Sequence, residues 1–86
     1  MLKKLFSSKN KNDSQKSIII TFHTTYDTMN LNEHFNKAAI KGRLIPVPRS
    51  LSSSCGIAWQ GNIDDEEIIK KQIDKDNLEI ESFNIM

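Results

Sequence analysis

Arg43-Leu44-Ile45-Pro46-Val47-Pro48 is the stretch on which the fold turns. Its β-branched, apolar residues read as a strand, but two prolines spaced two apart remove amide donors along the same side of it. A strand blocked in that way has no ladder partner on that side and belongs at the rim of a sheet. Downstream, a serine-rich loop leads into Gly56-Ile57-Ala58-Trp59-Gln60, a third strand with Ile57 and Trp59 on one face. Upstream, Ser17-Ile18-Ile19-Ile20-Thr21-Phe22-His23 carries apolar residues on both faces, the pattern of a central strand. Between them Thr24 or Thr25 caps a helix with Asp27 in its first turn, and Thr28, Leu31, Phe35 and Ala38 form its apolar face. Gly42 is the expected helix stop.

The C-terminal part repeats the alternation. Gly61-Asn62 reads as a turn, Asp64 as an N-cap with Glu67 as its capping-box partner, and Ile63 as a staple onto Ile68. Ile69 and Ile73 continue the inward stripe, while Lys70, Lys71 and Lys75 suit the negative end of that helix. Leu78 to Ile85 is a last strand whose apolar phase slips between Ile80 and Phe83, which predicts a bulge or a frayed end. The order is strand, helix, strand, strand, helix, strand. It predicts an α+β, ferredoxin-like split β-α-β fold (βαββαβ): a four-stranded antiparallel sheet with two helices on one face. Right-handed crossovers put the first and third strands in the centre and the second and fourth at the edges, in agreement with the prolines. Ile18, Ile20, Phe22, Ile45, Val47, Ile57 and Trp59 are expected beneath the helices. Ile19, Thr21 and Ala58 are expected on the open face, a surface mild enough for solvent or a symmetric dimer.

Composition sets limits on function. The chain has 86 residues, 37% of them hydrophobic, and its 12 basic and 11 acidic side chains leave a net charge of +1. That balance gives no electrostatic case for a nucleic-acid or membrane role. Residues 1–16 carry five lysines against one aspartate and read as a disordered basic leader, leaving 17–86 as a single domain. No segment has signal-peptide or membrane-span length, so the expected location is the cytoplasm. The single cysteine excludes an internal disulfide, and no Cys-x-x-Cys or Cys/His spacing suggests a metal site.

That cysteine is the candidate for chemistry. Cys55 lies between four serines and a glycine, at the junction of a polar loop and a strand. In the expected topology the first two strands run parallel, so this loop and the start of the first helix share one end of the sheet. His23, Thr24, Thr25, Arg49 and the serine loop would gather there, with Asp74 to Asn77 entering the last strand nearby. A helix amino terminus and a guanidinium both favour thiolate over thiol. The alternative is a small buried hydrophobe of no chemical consequence, and His23, Arg43 and Arg49 read equally well as ordinary surface groups.

Thr21-Phe22-His23-Thr24-Thr25, then Gly42-Arg43-Leu44-Ile45-Pro46-Val47-Pro48-Arg49, then Leu51-Ser52-Ser53-Ser54-Cys55-Gly56-Ile57-Ala58 resembles a family of small bacterial proteins described as "putative selenium/sulfur carrier protein-like". The resemblance covers about residues 18–60; the charged helix and final strand after Gln60 lie outside it. It implies that Cys55 accepts sulfur or selenium, with Arg49 on the anion side and Gly56 on the backbone side. The resulting expectation is a carrier rather than a turnover enzyme. It would use Cys55, Arg49 and His23 for chemistry and Thr24, Thr25, Arg43, Ser53, Ser54 and Gly56 for binding, with no cofactor or metal. A donor such as a cysteine desulfurase and an acceptor protein would be its partners. Two other readings stand beside it: a small interaction or adaptor domain with a structural cysteine, and a thiol redox sensor.

Overall fold

A computed structural model describes residues 16–51 and 53–86; most of the leader, and with it most of the reading of 1–16, lies outside the described residues. The elements in chain order are β1 (Ser17–Thr21), α1 (Thr25–Lys37), β2 (Gly42–Pro46), β3 (Ile57–Asn62), a 3-10 turn (Ile63–Asp65), α2 (Glu66–Lys75) and β4 (Ser82–Ile85). The strands form one antiparallel sheet in the order β2-β3-β1-β4, so the ferredoxin-like arrangement, with its proline-bearing strand at one edge, is present. Buried side chains of both helices, Leu31 and Phe35 from α1 and Ile69 from α2, join Ile18, Ile20, Phe22 and Trp59 in one core beneath a single face of the sheet.

Trp59 fixes the register of that core. Its ring meets Phe35 edge-on, centroids 4.8 Å apart, and it lies opposite Leu44 and Ile20 in the ladders. Directly opposed residues of an antiparallel pair share a face. Leu44 is therefore the β2 residue packed against the core, whereas Ile45 pairs with Ala58 on the other face, a correction to the expected inward Ile45 and Val47. The β-branched pair suggested the wrong phase because the choice was made by the indole across the ladder.

The same indole explains two glycines. A Cβ on Gly42 or on Gly61 would overlap the Trp59 ring. Gly42 is thus a strand residue facing Gly61 rather than a helix stop, and Gly61 and Asn62 end β3 rather than forming a turn. The stop for α1 is Ala39, held at φ 62°. Ile40 N–H bonds Phe35 O at 2.9 Å and Ala39 N–H bonds Asn36 O at 3.1 Å, a Schellman ending that a glycine would serve with less strain. Asn77, at φ 52°, ends α2 in the same way, with Leu78 N–H on Ile73 O.

The second helix starts later than its sequence suggests. Asn62, not Asp64, supplies the cap: its Oδ1 accepts from Asp64 N–H at 2.9 Å and starts the 3-10 turn, while Asp65 precedes α2 without a side-chain cap bond. That extra turn rotates Ile68 outward, 55% exposed, so the Ile63–Ile68 staple does not form; Ile63 packs on the core instead. Within α1, Thr28, Leu31 and Phe35 are buried as expected, but Ala38 is exposed at the C-cap. The last strand begins only at Ser82, where Glu81 N–H also reaches Thr21 O at 2.7 Å beside the Thr21–Ser82 pair, the irregular entry that the phase slip announced. Ile19, Thr21 and Ala58 do lie on the face away from the helices, but all three are buried, with Gln60 and Asn84 flanking Ile19 across the ladders.

Candidate functional site

The loop that carries Cys55 is built from both ends. Pro48 O accepts Leu51 N–H at 3.0 Å, closing a turn whose first central residue is Arg49; Val47 N–H bonds Gly56 O at 3.2 Å, closing the neck. Gly56 sits at φ 76° with open space where a Cβ would point, so the glycine serves the backbone turn. That turn brings the Ile57 peptide back under the sulfur. Ile57 N–H points at Sγ from 3.4 Å, and Ile57 O lies 3.2 Å away, where it accepts from the thiol. Ser53 ties the assembly to the end of β1: its hydroxyl donates to Phe22 O at 2.8 Å and accepts from Cys55 N–H at 3.4 Å.

From the far side comes a residue the sequence reading had assigned only to packing. Thr28, fully buried in the first turn of α1, places its Oγ1 3.4 Å from Sγ, with Thr24 O at 3.1 Å as its other partner. A hydroxyl has one proton to give. Beside a thiol it donates to Thr24 O; beside a thiolate it turns to the sulfur. Ser53 Oγ is 3.9 Å from Sγ and spends its proton on Phe22 O, so its pull on the sulfur is weaker.

These contacts decide the sulfur's ionisation. Burial pushes the Cys55 thiol up; the hydrogen bonds from Thr28, the Ile57 backbone and Ser53 outweigh it and hold the thiol below its ordinary value, while the charge of Glu81 works against them. The cause differs from the expected one. Arg49 is exposed at the turn tip and forms no hydrogen bond or ion pair with the described residues, and the helix meets the sulfur through a hydroxyl rather than through its amides. Of the amides in the first turn of α1, Asp27 N–H is taken by the Thr24 side chain at 3.1 Å. The charge that acts on the thiol from the approach to β4 is that of Glu81, and it opposes ionisation.

Other candidate residues are dispersed. His23, Thr25 and Ser54 are exposed around the same end of the sheet, and Thr24 contributes its cap and its carbonyl. Arg43 is at the opposite end, its Nε donating to Gln60 Oε1 at 3.3 Å, beside a shallow cavity of about 420 Å³ lined by Ser17, Lys41 and Asn62. His34 is not near the thiol's partners either; its Nδ1 lies 3.0 Å from Asp76 Oδ2 and joins α1 to the end of α2. Among the described residues no three His, Cys, Asp or Glu side chains converge as a metal site would require, and no helix is long and apolar enough to cross a membrane.

A family model described as "Putative Se/S carrier protein-like" matches residues 17–84. The match runs through α2 and β4, beyond the segment ending near Gln60 where the resemblance had been placed. No curated protein and no solved structure matches the chain.

Proposed function

From the premise that this chain belongs to the putative Se/S carrier protein-like family, we propose that Cys55 carries a terminal sulfur or selenium atom between partner proteins. The observation that supports this most is the set of donors around Sγ: a buried Thr28 hydroxyl and the Ile57 amide, both able to point protons at a sulfur anion. Cys55 is half-buried, close enough to the surface for exchange and sheltered enough to keep its partners in place.

Loading would proceed by attack of the Cys55 thiolate on the outer sulfur of a donor persulfide. The new S–S bond forms at Cys55, the donor's S–S bond breaks, and its electron pair leaves on the donor thiolate. The proton on the transferred sulfur travels with it or goes to water, and no net oxidation occurs. Discharge is the same step in reverse sense, with an acceptor nucleophile attacking and Cys55 leaving as thiolate. A lowered pKa makes that departure easier. Having one cysteine suits the task, because a second thiol in the chain would convert the persulfide into a disulfide. The same exchange moves selenium from a selenium donor, and the setting implied is the cytoplasm, with a cysteine desulfurase as the donor class.

Incubation with a cysteine desulfurase and cysteine, followed by intact mass spectrometry, tests this. The expected product is an adduct of about 32 Da that is absent from Cys55→Ser and removed by reductant. A chain that stays unmodified while another sulfur carrier is loaded in the same mixture would refute the proposal.

A second reading draws on the 3.2 Å contact from Sγ to Ile57 O and on the packing of Cys55 against the core. A thiol so held also behaves as a small structural group in an interaction domain. In that case Cys55→Ser leaves partner binding intact.

A further inference from the structure

The two edges of the sheet are treated differently. At the outer side of β2, Val47 N–H points inward to Gly56 O, so by alternation the nitrogens of Pro46 and Pro48 face outward and have no proton to offer. At the other rim, β4 has no such guard. Ser17 and Met86 exchange both of their backbone hydrogen bonds, at 2.6 and 2.9 Å, which fixes the alternation along β4. Ser82, Asn84 and Met86 point their backbone groups at β1, and Phe83 and Ile85 point theirs outward. Among the described residues no strand or helix pairs with that side.

Side chains leave the edge open as well. Asn84 is turned back, its Nδ2 donating to Ile19 O at 3.2 Å and Ser82 Oγ at 2.8 Å. Ile85 and Met86 are exposed at 45% and 42%, and Ser82–Ile85 contains neither proline nor lysine, the usual means of blunting an edge.

We propose that the outer edge of β4 pairs with β4 of a second copy of this chain, antiparallel and about a two-fold axis near Asn84, so that Phe83 of one copy faces Ile85 of the other. The short segment is self-complementary: the outward N–H of Phe83 donates to the Ile85 carbonyl of the other copy, the Phe83 carbonyl accepts that Ile85 amide in return, and the axis repeats the pair. The contact is isologous and closes on itself at two copies; a filament would need the β2 edges to pair as well, and there Pro46 interrupts the outward amides of Gly42 and Leu44. The axis also sets the two Cys55 sites at opposite ends of the doubled sheet, since β4 begins at the Cys55 end and its partner strand runs the other way. Neither thiol can then discharge the other. The pairing depends on the sheet edge alone and is independent of carriage by Cys55.

Sedimentation equilibrium of the full chain in reductant, from micromolar to several hundred micromolar, is the test. The expected result is a reversible passage from 9.9 kDa to about 20 kDa with nothing larger. Cys55→Ser should associate equally well. Ile85→Pro removes an outward amide without touching the bonds to β1 and should weaken association at least tenfold with an unchanged circular dichroism spectrum; if that variant loses its fold, Ile85→Lys, which only places a charge at the edge, decides. Amide exchange at Phe83 and Ile85 should slow as the chain is concentrated. A monomer at every concentration, association beyond two copies, or undiminished dimers in Ile85→Lys would overturn the proposal. So would protection of Phe83 and Ile85 that appears only when an extended peptide of another protein is added.

Discussion

Thr28 and Cys55 are 27 positions apart, and the crossover from β1 through α1 brings the threonine hydroxyl to 3.4 Å from the cysteine sulfur. Of the groups that lower the thiol's pKa, this hydroxyl contributes most, against the larger opposing effect of burial. Thr28→Val keeps the volume and removes the donor. Cys55 should then titrate at higher pH, and persulfide loading near pH 7 should slow several-fold. Thr28→Ser, which restores the hydroxyl, should recover most of the rate. Thiolate absorbance against pH, alongside loading rates, checks both.

Gly42→Ala should be severely destabilising. Its Cβ would enter the space of the Trp59 indole, which is wedged between Gly42 and Gly61 and against Phe35. Overpacking of that kind costs about 1–3 kcal/mol and occasionally more, a large fraction of what so small a domain has. Gly56→Ala meets no atom and should cost about 1–2 kcal/mol, from its left-handed backbone alone. Urea denaturation of the two variants compares the mechanisms.

Ala39→Gly should stabilise. Alanine at φ 62° strains the Schellman ending of α1, and glycine removes the strain at some cost in unfolded-state entropy. A net gain of about 1 kcal/mol, or a rise of roughly 4–8 °C in Tm, is expected from a thermal melt.

Acid should loosen the junction of the helices. The Gln72 amide holds the Asp76 carboxyl below the usual carboxylate range, against burial, with His34 helping. A carboxyl depressed in the folded state stabilises fully above its unfolded pKa, near ~3.9, and loses that contribution as pH falls through the folded value. Stability against pH, measured by denaturant titration below about pH 4, should therefore fall less steeply in Asp76→Asn than in the parent chain.

Most of the fold was legible in the sequence because each signal was local and redundant. The prolines of β2, the Thr24 cap and the isoleucine run of β1 each pointed to one element in one place. What could not be read were the consequences of Trp59: its indole made strand residues of an apparent helix-stop glycine, Gly42, and an apparent turn glycine, Gly61, and reversed the phase of β2. The candidate site was half legible. Cys55, Ser53 and Gly56 announced themselves by composition, but Thr28 was hidden in a helix face that also had to be apolar. Its signal was a hydroxyl at the first turn of a Leu and Phe stripe, beside the loop of the only cysteine. Arg49 attracted notice by sign of charge, and it stands exposed at a turn tip, a placement set by the Pro48–Leu51 turn.

The account depends most on a sulfur that the fold keeps ionised more readily than a free thiol. Alkylation of Cys55 by iodoacetamide, followed from pH 5 to pH 10 on the folded chain and on the same chain in denaturant, measures that directly. The account predicts a midpoint at lower pH when folded, together with a faster rate at pH 7 than the denatured chain shows. A folded chain that titrates at or above the denatured one and reacts more slowly at pH 7 would contradict it and leave Cys55 as a packing residue.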